Sequence, residues 1–267
     1  MNAGEFLERA GPLLLADEAR HNLILGVAGT VRDLPHLYPD ARFWVVDGAA
    51  ALQTPPYNAI VAKPRDREAL AALVAAIDGV LPGVTAASPE AEEFAELWGR
   101  PATPTRKDNI WELRVLRPAP PTNGRPREAT RDDVELILDW FGWFQVEEEL
   151  VRRQVEQRLG SDAGGVTLWE VGGEPVSMCG YGSPTPNGMR IGPVYTPPEH
   201  RGQGYAGAVT ADVSRRQLQR GRFCFLYTDA SNATAEGVYE RLGYQCIAAS
   251  RQLAFAKRRS VRSGTER

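Results

Sequence analysis

The sequence predicts an α+β fold arranged as two consecutive domains, each a mixed sheet flanked by helices. Three observations lead there. A length of 267 residues exceeds what one compact α/β core needs and is enough for two. A stretch rich in proline and glycine, Arg-Pro-Ala-Pro-Pro-Thr-Asn-Gly-Arg-Pro at residues 117–126, reads as a linker. The order of elements before that stretch recurs after it, as a repeat of element order and not of residue identity. The expected division is therefore residues 1–118, a linker at 119–126, a second domain at 127–256 and a basic tail without fixed structure at 257–267.

Residues 5–16 and 17–31 carry leucines at helical spacing and read as two amphipathic helices. Residues 41–46 and 49–54 alternate as strands around Asp47-Gly48, whose turn chemistry makes them a hairpin. A third strand is expected at 58–63, an alanine- and leucine-rich helix at 65–77 and a short strand at 83–87. The next helix is expected to run through Trp98, with Ser88 as its N-cap and Pro89 at its first position, and a strand at 111–116 ends the half. Beyond the linker, helices are expected between 132 and 160 around Trp140, Phe141, Trp143 and Phe144; these aromatics fit a packed helix face or a substrate cage. Strands follow at 166–171 and 175–182, joined by Gly172-Gly173, and at 189–195.

The chemistry centres on what comes next. Residues 202–207 read Gly-Gln-Gly-Tyr-Ala-Gly, so half of them lack a Cβ and the backbone can turn its amides toward one small volume. Residues 205–219 contain no proline, place Ala206, Val209 and Val213 at helical spacing and stop before Gly221. A helix start behind a glycine turn favours an anion by roughly 0.3–1 kcal/mol before any specific hydrogen bond forms, which suits a diphosphate. Two families use such a turn. Gly202, Gly204 and Gly207 spell the dinucleotide fingerprint with Asp229 about twenty residues on, but the Rossmann glycines follow a first strand directly, and here several strands and the segment 197–201 intervene.

The other match is Arg201-x-x-Gly204-x-Ala206, which resembles the acetyl-CoA pyrophosphate loop of the GNAT N-acetyltransferase superfamily. Downstream, Asn232, Tyr239 and the Leu242-Gly243-Tyr244 ending resemble that superfamily's second signature, and the ordered match covers residues 189–256, with the whole chain similar to the tandem type. The resemblance implies acetyl-CoA as cosubstrate and a small-molecule or peptide amine as acceptor. It also implies cofactor contacts from Val194, Tyr195, Arg201, Gly202, Gln203, Gly204, Tyr205, Ala206 and Asn232, and Tyr239 as general acid. Bland roles stand beside these: Asn232 as a helix N-cap, Arg201 paired with Glu199, Tyr239 as a core residue. No general base is identifiable; Glu170 and Glu199 lack fixed geometry in sequence. The first half is degenerate, since residues 63–70 read Lys-Pro-Arg-Asp-Arg-Glu-Ala-Leu, without glycine and with Pro64 removing an amide. A dinucleotide oxidoreductase and a non-catalytic acyl-CoA-binding module remain the rival readings.

Composition narrows the partners. A net charge of −3, with no basic stripe interleaved with aromatics, argues against nucleic acid. No apolar run approaches membrane-spanning length and no basic start precedes an apolar core, so neither membrane nor signal peptide is expected, and the protein is placed in the cytoplasm. Cys179, Cys224 and Cys246 lack C-x-x-C spacing and do not cluster with His21, His36 or His200, which predicts reduced thiols and no metal. Oligomeric state is not readable from the sequence.

Overall fold

A computed structural model of the chain describes residues 1–142, 152, 155, 156, 159 and 164–256. The expected tail at 257–267 and the aromatics Trp143 and Phe144 lie outside the described residues. Two compact units are present. One comprises Met1–Asp17, Leu23–Asp108 and the chain from Ala249 on; the other comprises Glu18–Asn22 and Asn109–Ala248. Relative to a cut at the linker, residues 249–255 of the last described strand thus fall in the first unit, and residues 245–248 in the second.

In the first unit, α1 (Ala3–Leu15) starts from a capping box in which the Asn2 side chain accepts from the Glu5 N–H at 3.0 Å and the Glu5 carboxylate accepts from the Asn2 N–H at 3.1 Å. Helix α2 (Asn22–Asp33) follows. Strands β1 (Arg42–Val46) and β2 (Ala49–Gln53) form the expected antiparallel hairpin, with Gly48 at φ 77° in its turn. Strand β3 (Ala59–Val61) pairs antiparallel with β2 and parallel with β4 (Gly83–Ala87). Residues 250–254 of β11 (Gln245–Phe255) then pair antiparallel with β4. Strand β2 is buried along its length because its alanines let helices approach both faces. Ala50 and Leu52 join Phe6, Leu14 and Ile24 from α1 and α2, while Ala49 and Ala51 join Leu70 and Leu73 of α3 (Arg67–Ala76) and Phe94 of α4 (Glu90–Trp98).

Two local expectations change here. Helix α4 begins at Glu90 with Pro89 at its N-cap, so Ser88 does not cap it; instead the Ser88 N–H donates to the Ala249 carbonyl at 2.8 Å, which draws Ser88 to the returning chain. Strand β5 (Ala102–Leu113) begins well before Trp111, because its first residues are polar and exposed and show no apolar alternation.

The second unit holds strands in the order β5, β10 (Phe223–Asp229), β9 (Gly188–Tyr195), β8 (Glu174–Gly182), β7 (Gly165–Val171), β6 (Arg125–Glu128). Strand β6 is a short edge strand whose first two residues, Arg125 and Pro126, fall in the expected linker; Pro126 is tolerated at that edge. Helix α5 (Val134–Gly142) puts Ile137 and Trp140 with Leu168 and Met178. The alternate residues of the same strands, among them Cys179, Ile191, Cys224 and Leu226, pack with α6 (Tyr205–Gln219) and α7 (Ala233–Leu242). The fold is α+β, as the sequence predicts.

An ion cluster fixes the start of α5 to the sheet. Arg127 donates to both Asp133 oxygens at 2.7 and 2.8 Å and to Glu170 at 2.5 Å, and Asp133 also accepts from the Thr130 N–H at 2.7 Å. The Arg127 hydrogen bonds hold the Asp133 carboxyl down at about 2, against an opposing push from burial. A depressed carboxylate stabilises the fold above its unfolded pKa and loses that contribution as pH falls from about 4 toward 2. Asp133→Asn is therefore expected to cost roughly 1–2 kcal/mol at pH 7 and to flatten the acid limb of stability over that window; urea titrations of both proteins at pH 7 and pH 2.5 check it.

Candidate functional site

The site begins where two strands part. Strand β9 pairs in parallel with β10 only at Gly188–Phe223, Met189–Cys224 and Arg190–Phe225. Past Arg190 the strands diverge, and the backbone groups of residues 191–195 on the β10 side have no ladder partner. The other edge of β9 carries a bulge: Met178–Tyr195 and Cys179–Val194 are in one register and Tyr181–Ile191 in another, so Gly192 and Pro193 together oppose Gly180. Gly192 sits at φ 118°, and a Cβ on Gly180 would lie 3.0 Å from the Gly192 carbonyl, so the bulge needs small residues on both strands.

The chain leaves β9 through a short 3₁₀ turn at Pro198–His200 and enters the glycine loop. Gly202 and Gly204 have φ of 76° and 85°, the left-handed conformation that the sequence anticipates. Gly204 is the N-cap of α6, and no side chain caps the helix. The first helical bond runs from the Ala208 N–H to the Gly204 carbonyl at 3.0 Å, so the amides of Tyr205, Ala206 and Gly207 have no partner within the helix. The Thr122 hydroxyl donates to the Gln203 carbonyl at 2.8 Å and steadies the loop. The Arg201 Nε donates to the Thr196 carbonyl at 3.0 Å, which ties this arginine to the end of β9.

Tyr239 lies on the same face of the sheet as α6. It lies on α7, buried, in the same apolar cluster as Cys179, Ile191 and Val194, and its ring meets Tyr244 edge-on at 5.7 Å. Cys179 is the cross-strand neighbour of Val194. Burial first, and then the nearby Cys179, raises the Tyr239 phenol above its ordinary value, so it stays protonated at neutral pH. Its hydroxyl has no hydrogen-bond partner among the described residues, whereas the Tyr244 hydroxyl shares a 2.8 Å bond with Ser214.

The remaining residues take definite places. Asn232 caps α7, accepting from the Ala235 N–H at 3.0 Å, so the capping role holds. Gly243 ends the same helix at φ 100°, and a Cβ there would come 2.7 Å from the Val115 carbonyl, which explains the Gly-Tyr ending of the motif. Glu170 is committed to Arg127, and Glu199 sits in the 3₁₀ turn before the glycine loop. Trp140 packs 5.7 Å from Tyr195 as part of a helix face. In the first unit, the start of α3 is closed: Asp66 accepts from the Ala69 N–H at 2.8 Å and pairs with Arg65 at 3.0 Å. A carboxylate stands there where an anion would need to bind.

Sequence reasoning missed two side-chain groups at the parting strands. The Glu236 carboxylate accepts from Asn109 at 2.6 Å and from Thr228 at 3.2 Å, and Thr228 accepts from the Trp111 indole at 2.9 Å. These bonds hold the far end of β10 toward α7 and β5. Arg190 lies over the Tyr227 ring at 5.3 Å. Partners this distant in sequence leave no local signal.

Residues 172–253 match the family model described as FR47-like protein. An acetyltransferase of the GNAT family from Colwellia psychrerythraea superposes with a TM-score of 0.60 at 11% identity, over 85% of this chain and 97% of its own. A GCN5-related N-acetyltransferase from Kribbella flavida gives 0.59 at 17% identity, over 88% and 96%. A Drosophila protein gives 0.66 at 14% identity, over 96% and 97%, so the likeness spans both units. No curated protein matches the chain in sequence. At these identities the likeness is one of fold. It leaves the dinucleotide alternative without support, since β9 is antiparallel to β8 and is not the first strand of a parallel sheet.

The three thiols test the packing beneath Tyr239. Burial pushes Cys179 and Cys224 each up to about 12, while Cys246 is exposed. One thiol per folded chain is expected to react with Ellman's reagent at pH 8, and three after unfolding. More than one fast thiol in the folded protein would contradict the packing described.

Proposed function

Starting from a chain with the GNAT fold and an FR47-like segment, we propose that it is an N-acetyltransferase that moves an acetyl group from acetyl-CoA to a primary amine. The fold supports acyl transfer in general. The observation that carries the specific reading is Tyr239, protonated and without a hydrogen-bond partner among the described residues, in one cluster with Val194 at the bulge of the opened strand.

In this reading the cosubstrate supplies the activated thioester and the chain does the rest. The Gly202–Gly204 turn and the amides of Tyr205 and Ala206 hold the diphosphate, with Arg201 and Gln203 beside them. The unpaired backbone of β9 near Val194 and Tyr195 orients the thioester carbonyl and stabilises its oxygen as the amine attacks. Asn232 fixes the start of the helix that carries Tyr239. The new N–C bond forms as the C–S bond breaks. The departing sulfur takes the Tyr239 proton, the amine gives its proton to water, and the phenol is reprotonated from solvent, so no net proton is gained or lost by the enzyme.

Burial raises the Tyr239 phenol, so it keeps its proton through the neutral range and is available as a donor.

Tyr239→Phe keeps the ring and its packing and removes the proton. Affinity for acetyl-CoA and the unfolding midpoint should stay near wild type, while kcat over a panel of amines falls by about 10²–10⁴-fold. An unchanged kcat would remove Tyr239 from the chemistry; no turnover by the wild-type protein with any amine would favour the binding-module reading.

A further inference from the structure

The α6 and α7 face of the parted strands is taken by the glycine loop and Tyr239 in the reading above, which leaves the opposite face for the acceptor. The side chains there are specific. Along β9, Met189 and Ile191 point into the core beneath α6, so Arg190 projects to the other side, where it is exposed. Along β10, Cys224 and Leu226 point to the α6 side, and Phe225 and Tyr227 to the side of Arg190.

Arg190 is held in a definite direction. Its guanidinium lies 5.3 Å from the centroid of the Tyr227 ring. The last pair of the ladder is Arg190–Phe225, so Tyr227, two residues further, is level with Gly192. The guanidinium therefore leans forward, toward the open end of the parting and the bulge. Tyr227 is itself anchored: its hydroxyl donates to the Asn22 Oδ1 at 3.1 Å, and the buried Asn22 donates to the Ala19 carbonyl at 2.6 Å. A neighbouring arginine shows the contrast. Arg114 also stacks on a ring of this face, Phe223 at 4.8 Å, but its charge is met by Glu112 at 2.6 Å. Arg190 has no carboxylate partner among the described residues.

We propose that Arg190 is a specificity-determining residue that receives a carboxylate of the acceptor, so that the preferred amines are α-amino acids. The proposal rests on the acyl-transfer reading. One face of the guanidinium is covered by Tyr227, which leaves its edge free for a two-pronged carboxylate, the geometry in which arginine binds best. Two strand residues, roughly 7 Å, separate Arg190 from Gly192. An α-amino acid with its carboxylate about 2.8 Å from the guanidinium places its amine two bonds further on, toward the bulge where the thioester carbonyl is held. Amines without the carboxylate lose that anchor and not the chemistry.

The test compares free α-amino acids with their C-terminal amides as acceptors, following release of free CoA, in wild type, Arg190→Met and Arg190→Lys. Wild type is expected to prefer the acids in kcat/KM. Arg190→Met should lower kcat/KM for the acids by roughly 10–10²-fold, mostly through KM, leave the amides unchanged and leave acetyl-CoA affinity by calorimetry unchanged. Arg190→Lys should recover part of the loss. Equal use of acids and amides, or an equal fall for both in Arg190→Met, overturns the proposal while the acyl-transfer reading stands, as does activity confined to amines such as spermidine that carry no carboxylate. No transfer to any amine overturns both.

Discussion

The structure of the second unit depends on one broken ladder. Parallel strands β9 and β10 share three paired positions and then part, although each runs several residues further. Backbone groups left open inside a sheet are costly unless something satisfies them. Here the opening is enforced from both sides. The far end of β9 belongs to β8, through Cys179–Val194, Met178–Tyr195 and the 3.0 Å bond from the Ser177 hydroxyl to the Tyr195 carbonyl. The far end of β10 belongs to β5 and α7, through Thr228, Trp111 and Glu236. The bulge at Gly192 and Pro193 supplies the extra residue that lets β9 follow β8 and leave β10.

Each chemical feature sits relative to that opening. The glycine loop follows β9 after one short 3₁₀ turn, so the start of α6 and the open backbone of β9 are joined by a few residues. The helix that carries Tyr239 follows directly from the end of β10, and Gly243 stops it where the Val115 carbonyl leaves no room for a side chain. The first unit has a helix start at the corresponding place in its element order, but a closed one. Asp66 caps α3 and takes the place of an external anion, and the Ala69 N–H, with the Arg65 hydrogen bond second, lowers its pKa so that it stays charged.

Much of this was legible in the sequence where the signal is local. The boundaries of α6 at Tyr205 and Gln219 follow from glycine, proline and spacing alone, and so does the degenerate loop of the first half. The Asn232 cap and the Gly243 stop are likewise matters of a few neighbouring residues. What could not be read depends on distant pairing. Asn22 and Tyr227 are 205 positions apart, and Glu236 and Asn109 are 127 apart. The polar first half of β5 has no apolar period to reveal it, and nothing in residues 249–255 says that their partner strand is β4. Nothing in the local pattern around Gly192 and Pro193 marks the bulge; open backbone near Val194 and Tyr195 is implied by the family resemblance alone.

The central claim is that a single anion-holding helix start, at Gly204, serves an opened strand. Titration calorimetry with acetyl-CoA measures it most directly, on wild type and on Gly204→Asp. A Cβ at Gly204 meets nothing closer than Thr122 at 3.9 Å, and Asp tolerates the left-handed backbone at φ 85° better than most residues, at some cost in strain, so the variant's unfolding midpoint is measured alongside. The account predicts one site per chain in wild type and no measurable binding to folded Gly204→Asp, because a carboxylate then occupies the phosphate position. Two equivalent sites in wild type, or undiminished affinity in folded Gly204→Asp, would contradict it.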